Sequence, residues 1–190
     1  MEFITLAERL GTPAHLSALL MKARRLGLVN PMDLERLAVS RGLRYYDSHG
    51  DSLKRGGSSP TVTESGMDSE LTNEELAVAL LCPSAVYSQQ RLRMGAAMLA
   101  AEGNRPESIA RLALLERCET VVLHIASCGH EVEPENPFWD RLLDLLPASH
   151  SVPKPDALPH PTRFVAMTGI TRNGVGNLKR WIRPRIPLSS

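Results

Sequence analysis

The chain has 190 residues, of which 43% are hydrophobic, 23% charged and only 4% aromatic. These proportions are typical of a globular protein and exclude a disordered chain. Because aromatic residues are scarce, the core must consist of Leu, Ala, Val, Ile and Met, and such a core favours packed helices over a sheet sandwich. The formal net charge of +1 does not by itself indicate a charged partner.

The first 46 residues predict a small unit of three short helices. Apolar residues recur at helical spacing over 3–10, and again after Thr12-Pro13 and after Asn30-Pro31, two dipeptides typical of helix starts. A glycine that can end the helix follows each stretch, namely Gly11, Gly27 and Gly42. A unit of this size is marginal alone, so we expect it to dock on the rest of the chain or on a partner.

Residues 47–70 contain almost no large apolar side chain and many Ser, Gly, Asp and Thr. Such a segment cannot bury enough surface to offset the entropy lost on ordering. We interpret it as a flexible linker or a long surface loop.

Residues 71–147 predict a helical core. Thr72 and Glu75 have the spacing of a capping box, flanked by Leu71 and Leu76 as a hydrophobic staple. Further helices are expected over 84–102, over 107–128 as one long helix or two, and from Asn136-Pro137 to Pro147.

Residues 148–190 begin with a Pro-rich stretch, which predicts an extended strap. Strand character over 163–168 and the turn dipeptide Asn173-Gly174 indicate a short hairpin, although 175–183 could instead form a short helix. The predicted fold is therefore mainly α: a compact helical bundle with a small N-terminal helical unit and a C-terminal strap that ends in a short hairpin or helix.

Two patterns suggest chemistry and fail on inspection. His124, Cys128 and His130 include one helical i, i+4 pair, but no second half-site accompanies them, so we predict no metal there. Gly169 and Gly174 have P-loop spacing, yet Val175 and Gly176 stand where Lys and Ser or Thr are required. We therefore expect no cofactor and no enzymatic activity.

Residues 39–47 read Val-Ser-Arg-Gly-Leu-Arg-Tyr-Tyr-Asp, which resembles a short fragment of the DNA-reading region of MerR-type regulators. One residue fewer stands between Ser40 and Arg44 than in that pattern, and a polar segment follows where the family has a long dimerising helix. The resemblance implies DNA contact through 31–46, with Arg41 and Arg44 as candidate contacts. Three short helices with tight turns are compatible with a helix-turn-helix.

The strongest charge asymmetry lies in residues 151–190, which carry seven basic residues and one acidic residue. A balance of +6 in a chain of net charge +1 predicts an anionic partner or an acidic surface of the same protein. Trp181 could stack on a base or anchor in a groove of a partner. The candidate contacts in this tail are Arg172, Lys179, Arg180, Trp181, Arg183 and Arg185.

These patterns predict a non-enzymatic helical protein-interaction module, an adaptor or assembly subunit that uses the basic tail. The alternative is a DNA-binding protein that uses 31–46 or the tail. Three cysteines are too few for a disulfide framework, and neither a signal peptide nor a membrane-spanning run is evident. We therefore expect a cytoplasmic protein with a protein partner or nucleic acid, and no membrane association.

Overall fold

The structure, a computed structural model, describes residues 4–30, 32–41, 43, 70–99, 101, 103–147 and 157–158, together with two short strands. The predicted mainly α fold is confirmed. The elements are α1 (Leu6–Leu10), α2 (Ala18–Arg25), α3 (Asp33–Ser40), α4 (Asn73–Leu81), α5 (Gln89–Leu99), α6 (Pro106–Leu115), α7 (Glu119–Val132), α8 (Pro137–Leu145), β1 (Arg172–Asn173) and β2 (Asn177–Leu178). None of the helices within the described ranges has the length and apolar character required to cross a membrane.

Helix α4 lies at the centre, and every residue from Leu76 to Leu81 is buried. Helices α2, α3, α5 and α6 all contact it, while α8 packs against α6 and α7. The predicted capping box is present: the Thr72 hydroxyl accepts the Glu75 N–H at 3.1 Å, and the Glu75 carboxylate accepts the Thr72 N–H at 2.8 Å. A helix that is apolar on all sides therefore begins at a sharply defined residue.

The N-terminal helices dock on this core. The Leu6 and Ala7 N–H groups donate to the carbonyls of Ala85 and Pro83, at 3.0 and 2.8 Å. Helices α2 and α3 bury Leu19 and Leu34, which belong to the same hydrophobic cluster as α4 and α5. The predicted division between 1–46 and 71–147 stays a prediction, but the two segments share one core.

The prediction that α2 starts at Thr12-Pro13 was wrong, because Ser17 is its N-cap. The Ser17 hydroxyl accepts the Leu20 N–H at 3.0 Å, and residues 12–17 precede the helix without regular structure. Asn30 likewise precedes α3 by a turn: its side chain accepts the Met32 N–H at 2.9 Å, and Met32 is the N-cap. At α2 the hydroxyl of Ser17, four residues after Pro13, sets the boundary.

Residues 107–128 contain parts of two helices, α6 and α7, and not one long helix, so the second of the two predicted alternatives is the one observed. Helix α6 ends at Leu115, Arg117 adopts a left-handed φ of 54°, and the Cys118 N–H donates to the Ala113 carbonyl at 2.9 Å. No Gly or Pro marks this break, so the sequence did not reveal it. The turn directs Glu116 inward, where it is 2% exposed.

The C-terminal region contributes two described features. Ala157 and Leu158 are buried, and the Arg9 Nε donates to the Ala157 carbonyl at 2.8 Å. Strands β1 and β2 pair antiparallel, with Asn173 opposite Asn177, so Asn173 ends a strand. The predicted strand over 163–168, residues 47–69 of the predicted linker 47–70 and most of the strap lie outside the described residues.

Gly129 of α7 permits a close approach of α8, because a Cβ at this position would overlap the indole ring of the fully buried Trp139. We predict that Gly129→Ala lowers the free energy of unfolding by about 1–3 kcal/mol through overpacking. Urea denaturation monitored by circular dichroism measures the change. Ser127→Ala, on the exposed side of the same helix, is the control and should change it by less than about 0.5 kcal/mol. Equal effects of the two substitutions would contradict the packing described.

Candidate binding groove and its surroundings

A groove of about 110 Å³ lies between the connection of α2 to α3 and residues 84–86, which follow α4. Seven of its eleven lining residues are apolar, and the other four are two arginines, an asparagine and a serine. The lining residues are Leu20, Ala23, Arg24, Leu28, Val29, Asn30, Leu34, Ser84, Ala85, Val86 and Arg91.

The inner wall of the groove is held by a buried ion pair between α3 and α5. The Arg91 Nε lies 3.5 Å from the Glu35 Oε1, and both side chains are less than a tenth exposed. Burial lowers the pKa of Arg91 and raises the pKa of Glu35, and their mutual attraction opposes both shifts. Removing one partner would leave a buried charge uncompensated and would destabilise the fold.

The rim of the groove differs from the inner wall because its side chains are open to solvent. Val29 is 71% exposed, and Arg24 is exposed and makes no ion pair with any residue in the described ranges. Lys22, on the same helix, is engaged instead, since its Nζ donates to both Glu75 carboxylate oxygens at 2.8 and 2.9 Å. Arg24 is therefore the cation available to a ligand in this groove. Arg25 is equally exposed but does not line it.

Among the predicted contact residues, only Arg41 has a described side chain. Its guanidinium donates to the Asn73 Oδ1 at 2.9 Å and to the Leu71 carbonyl at 2.5 Å, so it braces the start of α4. Arg172 is described only by its backbone in β1. The remaining predicted contacts lie outside the described residues: Arg44, Lys179, Arg180, Trp181, Arg183 and Arg185.

We predict that Arg41→Gln lowers the free energy of unfolding by about 1–3 kcal/mol, because the Leu71 carbonyl loses a charge-assisted donor. Chemical denaturation measures it. Arg36→Gln is the matched control: Arg36 is an exposed arginine of α3 paired only with Asp33 at 3.2 Å, and its loss should cost less than about 1 kcal/mol. An unchanged stability for Arg41→Gln would show that its side chain is available for another partner.

The histidine and cysteine pattern in α7 does not converge. Cys128 is buried, which raises its pKa to about 12, while the His130 Nδ1 lies 2.9 Å from the Asp140 Oδ1. His124 is half-buried on α7 and has an interaction partner.

A different group of metal-ligating types meets inside the described part of the chain, and sequence reasoning missed it. The ligand atoms of His15, Cys82 and Glu116 all lie within 4.8 Å of one another. The three residues come from the segment before α2, the end of α4 and the turn after α6. No motif spacing connects such positions, and only the unmarked break at Glu116 brings the carboxylate inward.

Comparison of the chain with protein-family models, with curated proteins and with solved structures finds no match.

Proposed function

We propose that this protein is a non-enzymatic helical interaction module, and that its groove receives an apolar segment of a partner protein carrying an acidic residue. The proposal rests on one observation: an exposed valine and an arginine with no ion pair to a described residue border the same groove, whose lining is both apolar and polar. Adaptors and assembly subunits bind their partners in this way.

Apolar burial would provide the attraction. Val29 is largely exposed, and the groove beside it offers Leu20, Leu28 and Leu34 as lining. Covering a side chain of this size contributes about 1.5–3 kcal/mol. An exposed apolar side chain on a concave surface is typical of a site that a second molecule covers.

Charge would set the orientation and the selectivity. Arg24 can bind a carboxylate through two parallel N–H···O bonds, a geometry that a lysine cannot reproduce. Glu35 neutralises the second arginine of the groove, Arg91. The groove thus offers one cation to a partner, which favours a segment with a single acid among apolar residues.

The basic tail predicted from the sequence remains part of this proposal as a second contact region. Two contacts support it: Leu158 is buried in the core, and the Ala157 carbonyl accepts the Arg9 Nε–H. They hold the chain at residues 157–158, which precede Arg163 in the sequence. A reducing, cytoplasmic location is proposed as well. It is supported by the three free, buried cysteines, Cys82, Cys118 and Cys128.

The test is selection of random displayed peptides on the full chain, followed by affinity measurement with synthetic peptides. We expect the recovered peptides to combine Leu, Ile or Val with at least one Asp or Glu. Arg24→Glu should weaken their binding by at least about tenfold, which corresponds to the coupling of a close charge pair. Arg25→Glu makes the same charge change on the adjacent exposed residue and should leave binding within about twofold.

Equal losses for Arg24→Glu and Arg25→Glu would mean that general charge, not the groove, governs binding. Fluorescence anisotropy with a mixed-sequence DNA duplex tests the alternative function with the same proteins. Affinity that falls steeply with salt, and that is lost when Arg180, Arg183 and Arg185 are neutralised together, would favour DNA binding through the tail.

A further inference from the structure

His15, Cys82 and Glu116 form the one group of metal-ligating side chains with converging donor atoms among the described residues. The Glu116 Oε2 lies 3.8 Å from both the Cys82 Sγ and the His15 Nε2. Cys82 and Glu116 are 0% and 2% exposed, and the His15 side chain is 11% exposed. Three donors of different chemistry therefore face one point in the interior.

We propose that these three side chains bind a transition-metal ion of the zinc class. Imidazole, thiolate and carboxylate together suit Zn²⁺, whereas Ca²⁺ and Mg²⁺ prefer oxygen ligands alone. The negative charges of a thiolate and a carboxylate would balance the ion, so the occupied site carries no net charge into the core.

Two of the three donor separations are near those of a tetrahedral centre, and the third, between His15 and Cys82, is at most 4.8 Å. Ligand bonds of about 2.0–2.3 Å place neighbouring donor atoms of a tetrahedral zinc site about 3.3–3.5 Å apart. The two 3.8 Å separations are wider by a few tenths of an ångström, which a small side-chain rotation can close. Three protein ligands leave the fourth position for water.

The Cys82 thiol and the Glu116 carboxylate have hydrogen-bond partners, but the imidazole of His15 has none among the described residues. Both ring nitrogens of His15 are covered from solvent, and neither has a hydrogen-bond partner within the described segments. Its Nε2 is too far from Glu116 for a hydrogen bond, which requires about 2.7–3.2 Å. Since buried polar side-chain atoms nearly always have a partner, a bound ion would supply the one that the described residues do not give to His15.

Outer contacts already hold the donors in place. The Leu19 N–H donates to the Glu116 Oε1 at 3.0 Å, which leaves Oε2 directed at the cluster. The Ser84 hydroxyl donates to the His15 carbonyl and ties that segment to the end of α4. Such support is typical of metal sites, where a second layer of contacts orients the ligands.

The ion would cross-link the N-terminal segment to the ends of α4 and α6. The test uses tag-free full-length protein after removal of metals with a chelator. Titration with Co²⁺ should show one equivalent bound, with the ultraviolet charge-transfer band of a cobalt–thiolate bond and the visible bands of tetrahedral cobalt. Zn²⁺ should displace it and raise the midpoint of thermal unfolding. Absence of the charge-transfer band at excess Co²⁺ would overturn the proposal.

Matched variants locate the site. Cys82→Ser and His15→Gln should each weaken Zn²⁺ binding by at least about 100-fold. Loss of a residue that only orients a ligand already costs up to about 100-fold, and loss of a ligand itself costs more. Cys128→Ser and His130→Gln change the same residue types outside the cluster and should leave the affinity unchanged. If all four variants bound Zn²⁺ with the same affinity, the ion would lie outside this cluster, and the assignment would be overturned.

Because Cys82→Ser removes a buried group and could fail to fold, the wild-type zinc complex supplies a measurement that needs no variant. X-ray absorption should show one sulfur neighbour at about 2.3 Å and the other neighbours, nitrogen or oxygen, at about 2.0–2.2 Å. A zinc coordinated by nitrogen and oxygen alone would exclude Cys82 and refute the site.

Discussion

The central position of α4 constrains the rest of the molecule. A helix with apolar side chains on every face can make polar contacts only at its two ends, and other elements must supply them. At the N-terminal end these come from Thr72, Glu75 and the guanidinium of Arg41. At the C-terminal end, Cys82 meets Glu116, which arrives from α6. The polar contacts of α4 are therefore concentrated at its two ends.

Both sites discussed above follow from this arrangement. Residues 83–86, which leave the end of α4, carry Ser84 against the His15 carbonyl and also form one wall of the groove. The same short segment receives the backbone of α1 through Ala85 and Pro83. The groove and the buried cluster thus both contact the connection 83–86, and residues of the N-terminal region border both of them.

Much of the fold could be predicted because its signals are local. The capping box at Thr72 and the proline that opens α8 each act within a turn of the chain. The start of α2 and the break after α6 carry no such signal. Ser17 caps α2 although Thr12-Pro13 has the more typical pattern, and Arg117 turns the backbone without a glycine. The acceptor of the Leu19 N–H is Glu116, which lies 97 positions away.

The sites were harder to predict than the fold for the same reason. In the sequence, Arg41 lies in a pattern that is typical of a nucleic-acid contact. In the structure, however, its guanidinium donates to the Leu71 carbonyl. Conversely, His15 and Cys82 belong to no spaced motif, and only tertiary structure makes them neighbours. Charge counts and spacings identify residues that could bind, but they do not show which of them are already engaged.

The hydrogen bond from the Leu19 N–H to the Glu116 carboxylate can form only after much of the chain has been synthesised. The two residues are 97 positions apart, so on a ribosome the acceptor does not yet exist when α2 leaves the exit tunnel. At translation rates of about 5–20 residues per second, the wait is roughly 5–20 s. During this interval the Leu19 N–H has only water as a partner, and the N-terminal segment reaches its final position after the chain that follows it has been made.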